Sequence, residues 1–142
     1  MLINSIPQYI QGVKNVKIDL TTTNKKTLYT VPSDADFNAT IVHSIIAINK
    51  SSSSSTLSVT FTGDSVDGGS GAVTNQEFFY TTNFTVNALG QTEFLPNTSR
   101  DLILNAGEVV KVQAGHADRI QVIMSIQELS KTRVTTSAIT RI

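Results

Sequence analysis

Apolar and polar residues alternate with a period of two along most of this chain. Val16, Ile18 and Leu20 alternate with Lys17 and Asp19, and Leu57, Val59 and Phe61 alternate with Ser58, Thr60 and Thr62. Leu102 and Leu104 form a short run, Val110, Val112 and Ala114 the next, and Ile120, Val122, Met124 and Ile126 the last. Successive side chains of a strand point to opposite faces, so this period belongs to half-buried β-strands. Turn chemistry separates the runs: Pro32-Ser33-Asp34, Gly63-Asp64, Asp67-Gly68-Gly69, Leu89-Gly90, Asn105-Ala106-Gly107 and Ala114-Gly115. The pattern predicts eight or nine closely spaced strands and no long helix. That is an all-β chain, a single antiparallel β-sandwich of jelly-roll-like type.

Two stretches depart from the alternation. Residues 41–48, IVHSIIAI, are apolar on both faces: strict alternation puts Val42, Ile46 and Ile48 on one and Ile41, Ile45 and Ala47 on the other. A strand of this kind is buried on both sides. In a two-layer sandwich the outer side faces water, so a loop or arm of the same chain, or a neighbouring subunit, is expected to cover it. Residues 51–55 are five consecutive serines. A flexible linker of that length spans about 12 Å on average, and paired strands lie about 4.8 Å apart, so length fits either a linker or a turn. The flanking runs are too short and too one-sided to close separate cores, so the serines read as an exposed hairpin loop.

The ends differ from the middle. Residues 1–12 carry Leu2, Ile3, Ile6, Tyr9 and Ile10, with Pro7 interrupting any helix. Residues 130–142 carry Lys131, Arg133 and Arg141, no acid, and the apolar Val134, Ile139 and Ile142. Each end reads as a frayed terminus or as an extended arm that orders on a partner. The expected organisation is an arm over 1–12, a sandwich over 13–129 and an arm over 130–142. The candidate assembly contacts are Ile3, Ile6, Tyr9, Ile10, Ile41, His43, Ile45, Val134, Ile139 and Ile142.

Composition narrows the function. The 142 residues fit one domain. Eleven basic and eleven acidic residues cancel, and charged residues make up 15% of the chain, against about 25% in an ordinary globular protein. A specific nucleic-acid binder needs a basic stripe that this chain lacks. Polarity comes instead from serine and threonine, about a quarter of the residues. Near-zero net charge removes the self-repulsion that keeps proteins apart, which suits an assembling protein. Without cysteine there is neither a disulfide nor a thiolate metal site. No apolar run approaches the roughly 20 residues of a membrane helix, and the first residues lack the basic start of a signal peptide.

No catalytic constellation stands out, and no cofactor or metal is expected. His43 lies in the densest apolar run, as a structural or interface histidine would. His116, in AGHADRI, has Asp118 nearby but no strained nucleophile motif. Asp64 and Asp67 in GDSVDGGSG, and Asp34 and Asp36 in SDAD, recapitulate only fragments of a calcium loop. Gly68–Gly71 lacks the lysine and helix of a phosphate loop. Four N-x-S/T sequons, at Asn38, Asn49, Asn83 and Asn97, are close to chance for this composition. The aromatic run EFFYTTNF (Phe78, Phe79, Tyr80, Phe84) could offer rings to a sugar, in a carbohydrate-binding reading built on Phe79, Tyr80 and nearby asparagines. The structural reading puts alternate members in the core and the others beneath a loop.

The segments TLYTVPSDADFNATIVHSIIAINKSSSSSTLSVTFTG and LILNAGEVVKVQAGHADRIQVIMSIQEL carry an ordered set of features. These are a Y-T-V-P entry, a polar turn, an apolar strand ending in Asn, a small-polar loop, an L-x-L-x-A-G-[DE] turn and a closing strand ending in Glu. In these features, over about residues 27–129, the chain resembles small β-sandwich structural proteins of tailed bacteriophages, which serve as head decoration or cement proteins and as tail accessory proteins. The resemblance implies a non-enzymatic virion component, made in the host cytoplasm. It would act as a homo-oligomer, often a trimer, on the major capsid protein or another virion protein. A tail or neck accessory subunit is the alternative within that class.

Overall fold

The computed structural model describes residues 9–33, 37–67, 71–93 and 102–130. Nine strands account for most of them: β1 Tyr9–Leu20, β2 Lys26–Thr30, β3 Phe37–Asn49, β4 Ser55–Asp67, β5 Gly71–Val86, β6 Gln91–Glu93, β7 Leu102–Asn105, β8 Val109–Ala114 and β9 Ile120–Ser130. Among the described residues there is no helix. Sheet I has the order β1-β9-β3-β6, with β7 also pairing β3, and sheet II the order β2-β8-β4-β5.

Every pairing is antiparallel. If β6 and β7 are taken as one interrupted strand, first pairs with last (β1·β9), second with next to last (β2·β8), third with β6/β7, and β4 with β5. The chain is thus one long hairpin rolled over on itself into two layers, which is the jelly-roll arrangement expected from the strand spacing.

The inward residues of the two layers form one apolar core. Leu20, Ile45, Leu57, Val59, Val86, Val112, Ile120, Val122, Met124 and Ile126 are among its fully buried members. Strands β1, β4 and β9 contribute the alternate positions that the period-two pattern marks. Gly107 takes a left-handed φ of 85° in the Asn105–Gly107 turn, a conformation that favours glycine.

The parity of β3 is not the one strict alternation gives. Val42 pairs with Ile126, yet Ser44 pairs with Ser125, so His43 is an extra residue in a β-bulge. Before the bulge even positions face inward (Thr40, Val42); after it odd positions do (Ile45, Ala47, Asn49). Ile45 is therefore a core residue and not an assembly contact, whereas Ile41, Ile46 and Ile48 share the outer face. A bulge shifts register by one, and one residue is all it takes to exchange the faces.

The serine run also differs from expectation. Strand β3 lies in sheet I and β4 in sheet II, so residues 50–54 form an arch between layers and not a hairpin within one, and Ser55 already belongs to β4. Asn49 holds the arch from inside. Its side-chain amide donates to the carbonyls of Ser53 (2.9 Å) and Val86 (3.0 Å), and its Oδ1 accepts from the Ser51 N–H (2.9 Å). Arg119 donates to the Ser54 carbonyl at 2.8 Å. Asn49→Ala strands these groups, one of them buried, and is expected to destabilise the fold by about 1–3 kcal/mol. Denaturant melts would read this loss, with Lys50→Ala, at an exposed neighbour, as the near-neutral control.

Tyr9, Ile10 and Gly12, expected within the N-terminal arm, are part of β1 and pair with Ser130, Leu129 and Glu128 of β9. Strand β9 likewise runs to Ser130. The candidate contacts Ile3, Ile6, Val134, Ile139 and Ile142 lie outside the described residues, as do Asp34 and Asp36 and the side chains of Tyr9, Ile10, Asp64 and Asp67.

Candidate assembly surfaces

Three features of the sandwich bear on function: a polar cluster between the layers, an aromatic edge, and the outer face of sheet I. The cluster joins both sheets. Tyr29, on β2, donates its phenol hydrogen to Glu128 Oε2 on β9 at 2.5 Å and lies 3.1 Å from Thr40 Oγ1 on β3. Lys14 on β1 reaches the same carboxylate, with Nζ 3.4 Å from Oε2, and its ammonium sits 6.0 Å from the centre of the Tyr29 ring. Glu128 and Thr40 are buried, while the lysine head remains in water. Burial, followed by the bond to Glu128, pushes the Tyr29 phenol well above its ordinary value. The arrangement satisfies a buried carboxylate and ties four strands together. Glu128, the glutamate near the end of the closing strand, is the hub of this cluster.

Strand β5 forms one edge of sheet II. Phe78, Phe79 and Phe84 are exposed, Phe79 to 58%, and only Tyr80 turns inward, meeting Phe61 edge-on at 5.7 Å. The expected alternation of core and covered rings therefore does not hold. The register of β4 and β5 shifts between Val59 and Thr60, which leaves Tyr80 as an extra residue; Phe79, opposite Thr60, takes the outer face, while Phe78, opposite Phe61, is exposed on the other face at the sheet edge. Lys25 covers Phe79, 5.8 Å from its centre, and pairs with Glu77 at 2.6 Å.

The outer face of sheet I can be read row by row, because residues directly opposite in an antiparallel ladder share a face. One row runs Glu93 (β6), Ile46 (β3), Ile123 (β9), Lys17 (β1). A second runs Ile103 (β7), Ile41 (β3), Gln127 (β9), Val13 (β1). Val13 is 70% and Ile103 61% exposed, while Ile41, Ile46 and Ile123 are half-buried by their neighbours in the sheet. His43, in the bulge between the rows, lies with Nε2 3.1 Å from Gln127 Oε1. Among the described residues no third layer lies on this face. Beside it, a shallow depression of about 220 Å³ is lined by Lys17, Asp19, Gln121 and Ile123.

Two surface ion pairs flank these features. Lys50 holds Asp19, and Lys25 holds Glu77, and in each case that bond sets the carboxyl below its usual range. Their stabilisation is present above the unfolded carboxylate pKa of about 4 and is lost as pH falls through the lower folded values. Both are exposed, so solvent screening keeps the effect small.

One juxtaposition resembles catalytic chemistry. Ser55 Oγ lies 3.1 Å from His116 Nδ1. Ser55 is buried, so no substrate reaches its oxygen, and no acid among the described residues is bonded to the imidazole. The pair serves the serine arch. No group of three or more metal-ligating side chains occurs among the described residues.

No protein-family model and no curated protein matches the sequence. Solved structures with similar backbones include a chain of the acidic stable capsid of Helicobacter pylori bacteriophage KHP30, at 14% identity and a TM-score of 0.45, over 86% of this chain and 91% of that one. Another is from infectious bursal disease virus strain Gx, at 10% identity and 0.49, over 84% of this chain and 32% of that one. A third is from Bacillus endospore appendages, described as disulfide-linked pili, at 12% identity and 0.43, over 90% and 94%. At these identities and TM-scores the likenesses carry no argument about function.

Proposed function

We propose that this protein is a non-enzymatic virion component, a decoration or cement protein that stabilises a phage head. The observation behind this reading is the outer face of sheet I, where Ile41, Ile46, Ile123, Ile103 and Val13 stand among polar side chains with no third layer over them among the described residues. The sequence resemblance to small phage structural proteins points the same way. In this reading the protein forms a homo-oligomer, with a trimer as the arrangement the resemblance implies. The segments before β1 and after β9 reach the major capsid protein and hold it through apolar contacts such as Ile3, Ile6, Val134, Ile139 and Ile142. Individually weak contacts suffice, because many copies act on one shell.

Deleting residues 131–142 leaves β9 whole and tests the arm directly. Occupancy on purified particles is expected to fall about tenfold or more; undiminished occupancy removes the C-terminal segment from the account. Imaging of labelled particles separates the head from a tail or neck position. The exposed rings of Phe78, Phe79 and Phe84 favour a second reading, a carbohydrate-binding sandwich. A glycan array without binding ends it.

A further inference from the structure

We infer that the outer face of sheet I is a two-fold interface with a second copy of this chain. The inference deepens the assembly reading by naming the partner and the geometry. It follows from the order of residues in the two rows.

The strand order across this face is β6/β7, β3, β9, β1. Consider a two-fold axis parallel to the strands and midway between β3 and β9, with a second sheet stacked about 10 Å away. That operation exchanges the two ends of every row. Glu93 of one copy then faces Lys17 of the other, and Ile46 faces Ile123. In the second row Ile103 faces Val13, and Ile41 faces Gln127. A single axis therefore matches the acid with the base and the two most exposed apolar side chains of this face with each other. An axis running across the strands along the first row would oppose Glu93 to Glu93 and Lys17 to Lys17.

The same axis matches both rows, the first by charge at its ends and isoleucine at its centre, the second by apolar side chains at its ends. That property is what a closed, isologous contact requires. Among the described residues neither Lys17 nor Glu93 has an ion-pair partner within its own chain. The depression lined by Lys17, Asp19, Gln121 and Ile123 lies where the partner's Ile46 and Glu93 arrive, and the Asp19 carboxylate in it is already neutralised by Lys50.

The rows span about 14 Å across the strands and about 13 Å along them. This patch is smaller than the roughly 800 Å² per partner of a standard interface. The pair is accordingly weak in solution and gains from repetition on an assembled surface. A two-fold face makes pairs only. In a trimeric protein it would join one trimer to the next, using a different surface from the one that builds the trimer.

Sedimentation velocity of the purified full chain over a wide concentration range tests the contact without particles, so its outcome is separate from that of the occupancy assay. The expected result is association that Lys17→Glu and Glu93→Lys each weaken about tenfold or more, through like charges brought together, and that the double exchange restores. Circular dichroism and melting confirm that each variant is folded. Because the chain has no cysteine, V13C mixed with I103C should form a disulfide heterodimer under mild oxidation, while neither alone should. Self-linking of I103C alone, or a double exchange no better than the single ones, overturns the proposed axis. A concentration-independent assembly state overturns the interface. If association appears only after residues 131–142 are removed, the chain's own C-terminal segment is the occupant, and the inference is equally overturned.

Discussion

Ile45→Asp is expected to prevent folding, whereas Ile46→Asp is expected to leave the sandwich intact. The two residues are neighbours of the same type, and only the bulge at His43 distinguishes them. Ile45 is fully buried among core side chains. Its truncation to alanine alone is expected to cost about 2–5 kcal/mol, and an unpaired carboxylate there adds a further penalty of several kcal/mol. The sum reaches the roughly 5–15 kcal/mol that holds a domain of this size together. Ile46 stands on the outer face, where aspartate loses strand propensity and some contact with Ile123, about 1–2 kcal/mol. Circular dichroism and a urea melt of both variants read the difference. The reverse outcome, with Ile46 the intolerant site, would mean that β3 continues through His43 without a bulge.

Tyr29→Phe is expected to destabilise the protein by about 2–4 kcal/mol, out of proportion to the loss of one oxygen. The substitution leaves the buried Glu128 without its shortest hydrogen bond and leaves Thr40 without a neighbour for its hydroxyl. Glu128→Gln retains an acceptor for the phenol and should cost less. Combining Tyr29→Phe with Glu128→Leu should recover part of the single-mutant losses, because no charge is then stranded; a double-mutant cycle measures that coupling.

The same cluster sets an alkaline limit. The Tyr29 phenol is raised in the folded protein above its unfolded value of about 10. Its contribution is therefore complete below pH 10 and is lost as pH rises from there toward the folded value. Phenolate absorbance of Tyr29 should appear together with loss of the folded circular dichroism signal and not before it. A normal titration of Tyr29 in the folded state would contradict the buried bond to Glu128.

The surface reading rests on the same register that sets the core. Lys17 and Glu93 are unremarkable exposed charges in the chain, 76 positions apart by number (93 minus 17). They become the two ends of one row only because β1 and β6 lie on either side of the β9–β3 pair. Val13 and Ile103 are related in the same way. Sequence reasoning singled out the apolar strand at 41–48, and with it Ile41, but could not supply partners from strands distant in the chain.

What the sequence determined by itself was the kind of structure. Period-two alternation and frequent turn residues exclude helices and impose strands, because each depends only on the local backbone and on which side of a strand meets water. The inward members of β1, β4, β8 and β9 were legible for that reason. The tertiary structure alone decided the rest. The bulges at His43 and Tyr80 arise from pairing with a neighbouring strand; the first reverses the parity of β3 and moves Ile45 inward, and the second turns Tyr80 inward against Phe61. The serine run crosses between layers because its flanking strands find different partners, and Asn49 secures it through contacts up to 37 positions away. Glu128 is tolerated in the interior because Tyr29, 99 positions earlier, is brought to it from the other sheet. Alternation is a property of one strand, but which face is inner, and what lies opposite, belongs to the sheet.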